Sequence, residues 1–233
     1  MELFSYRKET KYALSATQAV SIQNQLDHLL LRDSYCSDAS YSVRSLYFDS
    51  IDNIDLTEKF SGIYNRKKIR LRIYNGDSSL CKLEIKQKTG DWQHKQSCII
   101  SAADAKELAQ GNYPILKSYF HDHSTALKAY GIMVPGRYRP VVQIEYDRIA
   151  YRYPRYDTRV TLDGNIRTSE TNMDIFSSDI SYLPVTCDQI ILEIKYSGKL
   201  MAFISDALSQ YGLTQSSYSK YCSGRPVYYD FSC

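Results

Sequence analysis

In "KKIRLRIY", Lys68, Arg70 and Arg72 alternate with Ile69, Leu71 and Ile73. In "LCKLEIKQKTG", Lys82, Glu84, Lys86 and Lys88 alternate with Cys81, Leu83 and Ile85. The period recurs in "TRVTLDG", where Arg159, Thr161 and Asp163 oppose Val160 and Leu162, and in "IILEIKYSG", where Glu193 and Lys195 oppose Leu192, Ile194 and Tyr196. Near the start of the chain Arg7, Glu9 and Lys11 fall on one side. A strand of this kind has one apolar and one charged face. Guanidinium forks match phosphate oxygens two at a time, and lysine adds a point charge. Carboxylates among them repel phosphate unless a divalent cation lies between, and Mg²⁺ or Mn²⁺ takes one or two carboxylates plus phosphate oxygens. The ligand such a set implies is a nucleoside triphosphate or a longer phosphate chain.

These faces need strands to carry them. "FSYRKETKYALS" reads as an opening strand, followed by a helix over "ATQAVSIQNQLDHLLL" with Ser15 as N-cap. "YSVRSLYFDS" is the next strand, and "IDNIDLTEKFSG" a short helix closed by Gly62. Three strands follow, "KKIRLRIYNG", "SLCKLEIKQKTG" and "WQHKQSCIIS", joined as hairpins through Asn75-Gly76-Asp77 and Thr89-Gly90-Asp91. A helical stretch over 101–131, broken near Gly111 and Pro114, leads to "RPVVQIEYDRIAYR", "TRVTLDGNIRTS" and "QIILEIKYSG" as further strands. "KLMAFISDALSQYGL" is a helix and "TQSSYSKYCSGR" a last short helix or turn. About eight strands suffice to close or nearly close a barrel, so the expectation is a single α+β domain over 1–233, a mainly antiparallel β-barrel with helices packed outside.

For any one strand, a charged face turned to water is the ordinary reading. Two features weigh against it. The charged faces are rich in arginine and lysine with few carboxylates, although the whole chain carries a net charge of only +3. They also recur from one end of the sequence to the other, between helices whose apolar faces need sheet to cover. Helices outside a closed sheet put the apolar faces outward and the charged faces into a lumen.

Composition sets limits. At 233 residues with 43% apolar and 24% charged residues, the chain has the material for a sizeable core. A charge of +3 does not bind anions by bulk attraction, so the basic residues must be concentrated to matter. The six cysteines form no C-x-x-C pair and no zinc spacing, the opening residues are charged where a signal peptide is apolar, and no run is long enough to span a bilayer. Reduced thiols and a cytoplasmic location are expected, with a membrane-bound partner left open. His121 and His123 stand two apart in a helical stretch and face different ways, and Gly198-Lys199 lacks the glycines of a phosphate loop.

Eight pieces in order, "RKETKY", "IRLRIY", "LEIK", "DWQHKQS", "IEYDRIAY", "RVTLD", "ILEIK" and "SYSKYCSG", span nearly the whole chain. Together they resemble the polyphosphate polymerase (vacuolar transporter chaperone, VTC) branch of the triphosphate tunnel metalloenzymes. The resemblance implies transfer of the γ-phosphate of ATP to a growing inorganic polyphosphate chain with release of ADP, using Mn²⁺ or Mg²⁺. It places Lys11, Arg70, Arg72, Lys86, Lys95, Arg148, Arg159 and Lys220 on basic tunnel positions, Tyr146 and Ser219 on further phosphate contacts, and Glu193 on the metal-binding carboxylate. Lys195 shares the face of Glu193. No side chain is required to form a phosphoenzyme, because the terminal phosphate of the polymer can attack by itself.

The chain departs from the pattern at Arg7, which stands where the superfamily's first glutamate is usual and so favours polymerase over triphosphatase. Glu9 and Glu84 either join Glu193 at the metal or orient Lys11 and Lys86 by ion pairing. Glu145 and Arg148 cannot share a face of a regular strand, and following Tyr146 and Arg148 sends Glu145 outward. Lys82 and Lys88 lie at strand ends, in solvated or entrance positions. A triphosphatase or cyclase of the same superfamily is one alternative. A non-catalytic binder of polyphosphate or nucleic acid is another, disfavoured because the 22 tyrosines are expected mostly on outward positions, away from the basic face. ATP and inorganic polyphosphate, and not nucleic acid, are the expected partners.

Overall fold

A computed structural model describes residues 5–36, 39–90, 92–185 and 189–225. In chain order the elements are β1 (Ser5–Leu14), α1 (Ala16–Leu29), β2 (Leu31–Arg32), β3 (Tyr41–Asp49), α2 (Ile54–Phe60), β4 (Asn65–Tyr74), β5 (Leu80–Thr89), β6 (Trp92–Ser101), α3 (Ala102–Ala109), α4 (Ser124–Met133), β7 (Arg139–Tyr153), β8 (Thr158–Ser169), β9 (Leu183–Pro184), β10 (Ile190–Tyr196), α5 (Ala202–Ser209) and α6 (Lys220–Gly224). The strands pair in the order β7-β3-β4-β5-β6-β1-β10-β8, and β8 pairs back to β7. The result is a closed eight-stranded antiparallel barrel, as the strand count led one to expect, with β2 and β9 as short additions on β7 and β8. No described helix is long and apolar enough to cross a membrane.

Local chemistry accounts for the elements. Gln18 N donates to Ser15 Oγ (3.2 Å) and Ser15 N donates to Gln18 Oε1 (3.0 Å), a reciprocal cap that starts α1 where the sequence placed it. Asn75 (φ 49°) and Gly76 (φ 67°) both lie in the left-handed region that a tight β4–β5 hairpin demands. The helical stretch after β6 resolves into α3, a 3₁₀ segment Tyr113–Tyr119 with Pro114 in its first turn, and α4. The expected helix over 199–213 shortens to α5. The turn around Asp91 lies outside the described residues.

Alternation along β4, β5, β8 and β10 splits the sheet into an apolar outside and a charged inside, whereas β3 and β7 keep Val43, Val142 and Ile144 on the face of Tyr146 and put Glu145 on the other. Ile69, Leu71 and Ile73 of β4, Leu83 and Ile85 of β5 and Ile100 of β6 are buried under Ala105 and Leu108 of α3 and Ala126, Ala129 and Met133 of α4. On another flank Val160, Leu162, Leu192 and Ile194 meet Ile22 and Leu26 of α1 and Ile204 and Leu208 of α5. Each such side chain contributes about 1.5–3 kcal/mol on burial, so the helices fix which face of every strand turns outward. The charged faces have only the lumen left to them. Cys36, Cys81, Cys98 and Cys222 are buried free thiols, while Cys187 and Cys233 lie outside the described residues.

Candidate active site

The lumen holds a cavity of about 440 Å³ lined by twelve lysines and arginines but just two carboxylates, Glu9 and Glu193. β4 supplies Lys68, Arg70 and Arg72, β5 Lys86 and Lys88, β1 Glu9 and Lys11, β7 Tyr146 and Arg148, and β10 Glu193 and Lys195. The remaining wall is not strand. The segment 215–219 and α6, which packs against β7, β8 and α2, bring in Ser219, Lys220 and Tyr221. Lys59 of α2, Arg66, Lys67 and Gln93 complete the lining.

Glu193 is the hub of the inner charges. It accepts from Lys11 Nζ at 2.8 Å, Lys195 Nζ at 2.5 Å and Lys220 Nζ at 3.3 Å, with Arg148 Nη2 at 3.8 Å. Lys11 Nζ also lies 3.0 Å from Glu9 Oε1, and Lys86 Nζ donates to Glu9 Oε2 at 3.0 Å. Asp163 accepts a two-pronged bond from Arg148 (2.6 and 2.7 Å) and a third from Lys220 (2.6 Å). Glu84 takes Arg70 Nε at 2.7 Å and Lys95 Nζ at 3.2 Å. Burial works against every one of these charges, and the partners decide the outcome. For Glu193, Glu84, Glu9 and Asp163 the surrounding cations overcome burial and hold each carboxyl below its ordinary range. For Lys11 and Lys220 the carboxylates overcome burial and raise the ammonium. For Lys68 and Lys195 burial prevails and lowers it. Lys86 is pushed down to about 7, by burial first, with Lys11 and Lys195 adding repulsion against the pull of Glu9.

Lys86 would make the binding of any polyanion in the lumen depend on pH. A polyanion beside it restores its charge, so above about 7 binding takes up a proton on Lys86 and weakens as pH rises. Calorimetry of tripolyphosphate binding in buffers of different ionisation enthalpy is expected to show that uptake in the wild type. In K86R it is expected to be lost, since arginine stays charged.

Of the residues expected at the site, Lys11, Arg70, Arg72, Lys86, Tyr146, Arg148, Lys195, Ser219, Lys220, Glu9 and Glu193 line the cavity. Lys95 and Glu84 lie behind this wall, paired to each other beside Arg70. Arg159 is opposite Lys195 in the ladder but reaches away, to Tyr41 Oη (3.0 Å) and Asp33 Oδ2 (3.0 Å). Glu145 is outside the barrel with Arg44, Arg167 and Tyr182, next to a register shift between Glu145 and Asp147. Arg7 pairs with Asp157.

Tyr146, expected at the site, is joined at the cavity by Tyr47, Tyr218 and Tyr221, which were not. Their hydroxyls and rings serve the cations: Arg70 donates to Tyr47 Oη at 2.8 Å, Arg72 to Tyr146 Oη at 3.3 Å, and Lys220 stands 4.7 Å from the Tyr146 ring centre. Asp163 and Lys68 were missed as site residues although the alternation test had placed both on charged faces. Their signal was parity alone, which does not rank one inward charge above another.

Glu9 and Glu84, left open between metal binding and ion pairing, do not both gather at Glu193, and among the described residues no cluster of three or more carboxylate, histidine or cysteine donors is present. Glu84 is committed to Arg70 and Lys95. Glu9 and Glu193 instead converge on the single Lys11 ammonium, each with an oxygen within 3.0 Å of it. Two carboxylates converging on one cationic point, in a lumen that also suits phosphate oxygens, fit the donor set of Mg²⁺ or Mn²⁺ on a phosphate chain.

Comparison with known proteins agrees with this architecture. The family model for the VTC domain matches residues 6–229. A candidate adenylate cyclase from Bacillus halodurans superposes with a TM-score of 0.54 at 14% identity, over 93% of this chain and 95% of that one, and shares the fold. A Pyrococcus horikoshii protein gives 0.44 at 12% identity, over 92% of this chain and 96% of that one. Comparison with curated proteins returns no significant match. Matched over nearly its whole length and closed around a basic lumen, the chain belongs to the VTC domain family of triphosphate-tunnel proteins.

Proposed function

We propose that the chain is an ATP-dependent polyphosphate polymerase, a phosphotransferase that moves the γ-phosphate of ATP onto a polyphosphate chain held in the lumen and releases ADP. The observation that carries the reading is the cavity wall, with its twelve cations, two carboxylates and four tyrosines. Such a wall stabilises dense negative charge along a line, and phosphoryl transfer asks for charge stabilisation and in-line placement more than for covalent help. Arg70, Arg72, Arg148 and Lys220 hold the transferring phosphoryl group, with Asp163 and the tyrosines fixing their aim. Lys11, Lys86, Lys195 and Ser219 bind neighbouring phosphates. A terminal oxygen of the chain forms the new bond to the γ-phosphorus as the bond to the ADP oxygen breaks, and the nucleophile is already anionic. Glu193 and Glu9 would hold the divalent cation, which neutralises phosphate charge when bound. Glu84 and Lys95 act one step back, by positioning Arg70, while Arg159 is held by Tyr41 and Asp33 away from the cavity.

The test is incubation of the purified chain with ATP and Mn²⁺, with products resolved on a gel stained for polyphosphate. A ladder of long chains supports the polymerase. Free phosphate without a ladder turns the reading to a metal-dependent triphosphatase, and no turnover with retained polyphosphate binding turns it to a binding module.

A further inference from the structure

Lys68 differs from the paired lysines of the lumen. Lys11, Lys86, Lys195 and Lys220 each have a carboxylate partner, whereas among the described residues Lys68 forms no ion pair. Its Nζ lies 2.6 Å from Ser219 Oγ and 5.1 Å from the Tyr221 ring centre. Burial with no carboxylate to oppose it favours the neutral amine. Ser219 Oγ accepts from Lys68 and, at 3.4 Å, from Cys222 N. Both bonds use the oxygen's lone pairs and leave the hydroxyl proton to be given away. The ammonium donates to Ser219 Oγ at 2.6 Å, and loss of a proton from Lys68 turns the same contact into one that takes the hydroxyl proton. A serine hydroxyl bonded to an uncharged lysine is an activated nucleophile with its base in place.

We propose that Ser219 is itself a phosphoryl acceptor, with Lys68 as its general base, so that the enzyme can phosphorylate its own lumen wall. Ser219 Oγ forms a bond to the γ-phosphorus of ATP, the bond from that phosphorus to the ADP oxygen breaks, and the hydroxyl proton passes to Lys68 Nζ. The products are ADP, a phosphoserine and an ammonium beside it that stabilises the new dianion. Lys220 is the next residue, and it is bonded to Glu193 and Asp163 within the same wall. The phosphoserine is an anchored terminal phosphate from which a polymer can grow when no free primer is present. The proposal rests on the reading of the lumen as an ATP site.

The experiment incubates the full chain with Mg²⁺ and ATP labelled in the γ-phosphate, denatures it in acid, and maps the label by peptide mass spectrometry. The expected result is one acid-stable phosphoryl group on Ser219, formed faster as pH rises, because burial favours loss of the Lys68 proton, with Lys11 and Lys59 adding repulsion and Cys222 and Tyr47 pulling the other way. S219A is expected to carry no label. S219T, which keeps both hydroxyl and cap, is expected to carry it on the threonine. K68R, which keeps the charge but cannot accept the proton, is expected to label at least tenfold more slowly while unfolding cooperatively like the wild type. An unlabelled wild type, an acid-labile lysine adduct, label persisting in S219A, or K68R labelling at the wild-type rate would each overturn the proposal. Polyphosphate measured in the same tubes separates the two readings. A ladder without label leaves the polymerase and removes the acceptor, while label without a ladder does the reverse.

Discussion

Glutamine at position 193 is expected to weaken the empty protein and strengthen its grip on phosphate at the same time. Glu193 is buried and takes three lysine hydrogen bonds, with Arg148 close by. E193Q keeps the shape and removes the charge, so these cations lose their common counter-ion. Breaking a buried ion pair by removing one partner costs about 3–5 kcal/mol, and the loss is expected in denaturant unfolding of the ligand-free variant. In the wild type this contribution is present above the unfolded-state carboxyl pKa and disappears only as pH falls through the depressed native value. Tripolyphosphate supplies the missing negative charge. It is therefore expected to stabilise E193Q by more than it stabilises the wild type, without any divalent cation. Metal-dependent turnover should fall by about 100-fold or more, because one of the two carboxylates around Lys11 is gone. A variant that loses both stability and metal-free phosphate binding would show that Glu193 is a structural prop rather than the lumen's counter-ion.

The second large effect is expected at Asp163, which touches no part of the cavity directly. Its two oxygens hold Arg148 by both prongs and Lys220 by one, from a wholly buried position on β8. D163N cannot accept from both prongs with charge assistance, and its amide nitrogen faces a cation. Arg148 and Lys220 remain in the lumen but lose their aim. Misplacement of transition-state contacts costs about 100-fold in rate, whereas summed attraction for a polyanion survives it. The expected signature is a large fall in kcat with a KM for ATP changed only a few-fold. Equal damage to both constants, scaling with lost thermal stability, would make Asp163 a packing residue. It is a positioning residue on this view, and Arg148 and Lys220 are the groups through which it acts.

Most of the scaffold was legible because alternation and helix amphipathicity are local properties of the sequence. "IRLRI" and "LEIK" declare a charged and an apolar face, and helices between such strands leave the charged face only the inside. Depth within the lumen was not legible. Glu84 and Lys86 share a face of β5, yet Glu84 is sealed behind Arg70 and Lys95 while Lys86 reaches the cavity. The stagger of a closed sheet and the reach of long side chains set that difference, and neither appears in a two-residue period. Arg159 obeys parity but is drawn off by Asp33, which belongs to the connection between β2 and β3. The Lys68–Ser219 contact joins β4 to the segment before α6 across 151 positions of sequence, so no local pattern could announce it.

The claim that organises all of this is that the lumen binds a phosphate chain. Isothermal titration of tripolyphosphate into the wild type and into a variant carrying both K11M and R70A measures it directly. One site per chain is predicted for the wild type, with affinity that falls as salt is added and at least a tenfold loss in the variant. Wild-type binding that is absent, or that the lumen substitutions leave unchanged, would contradict the claim.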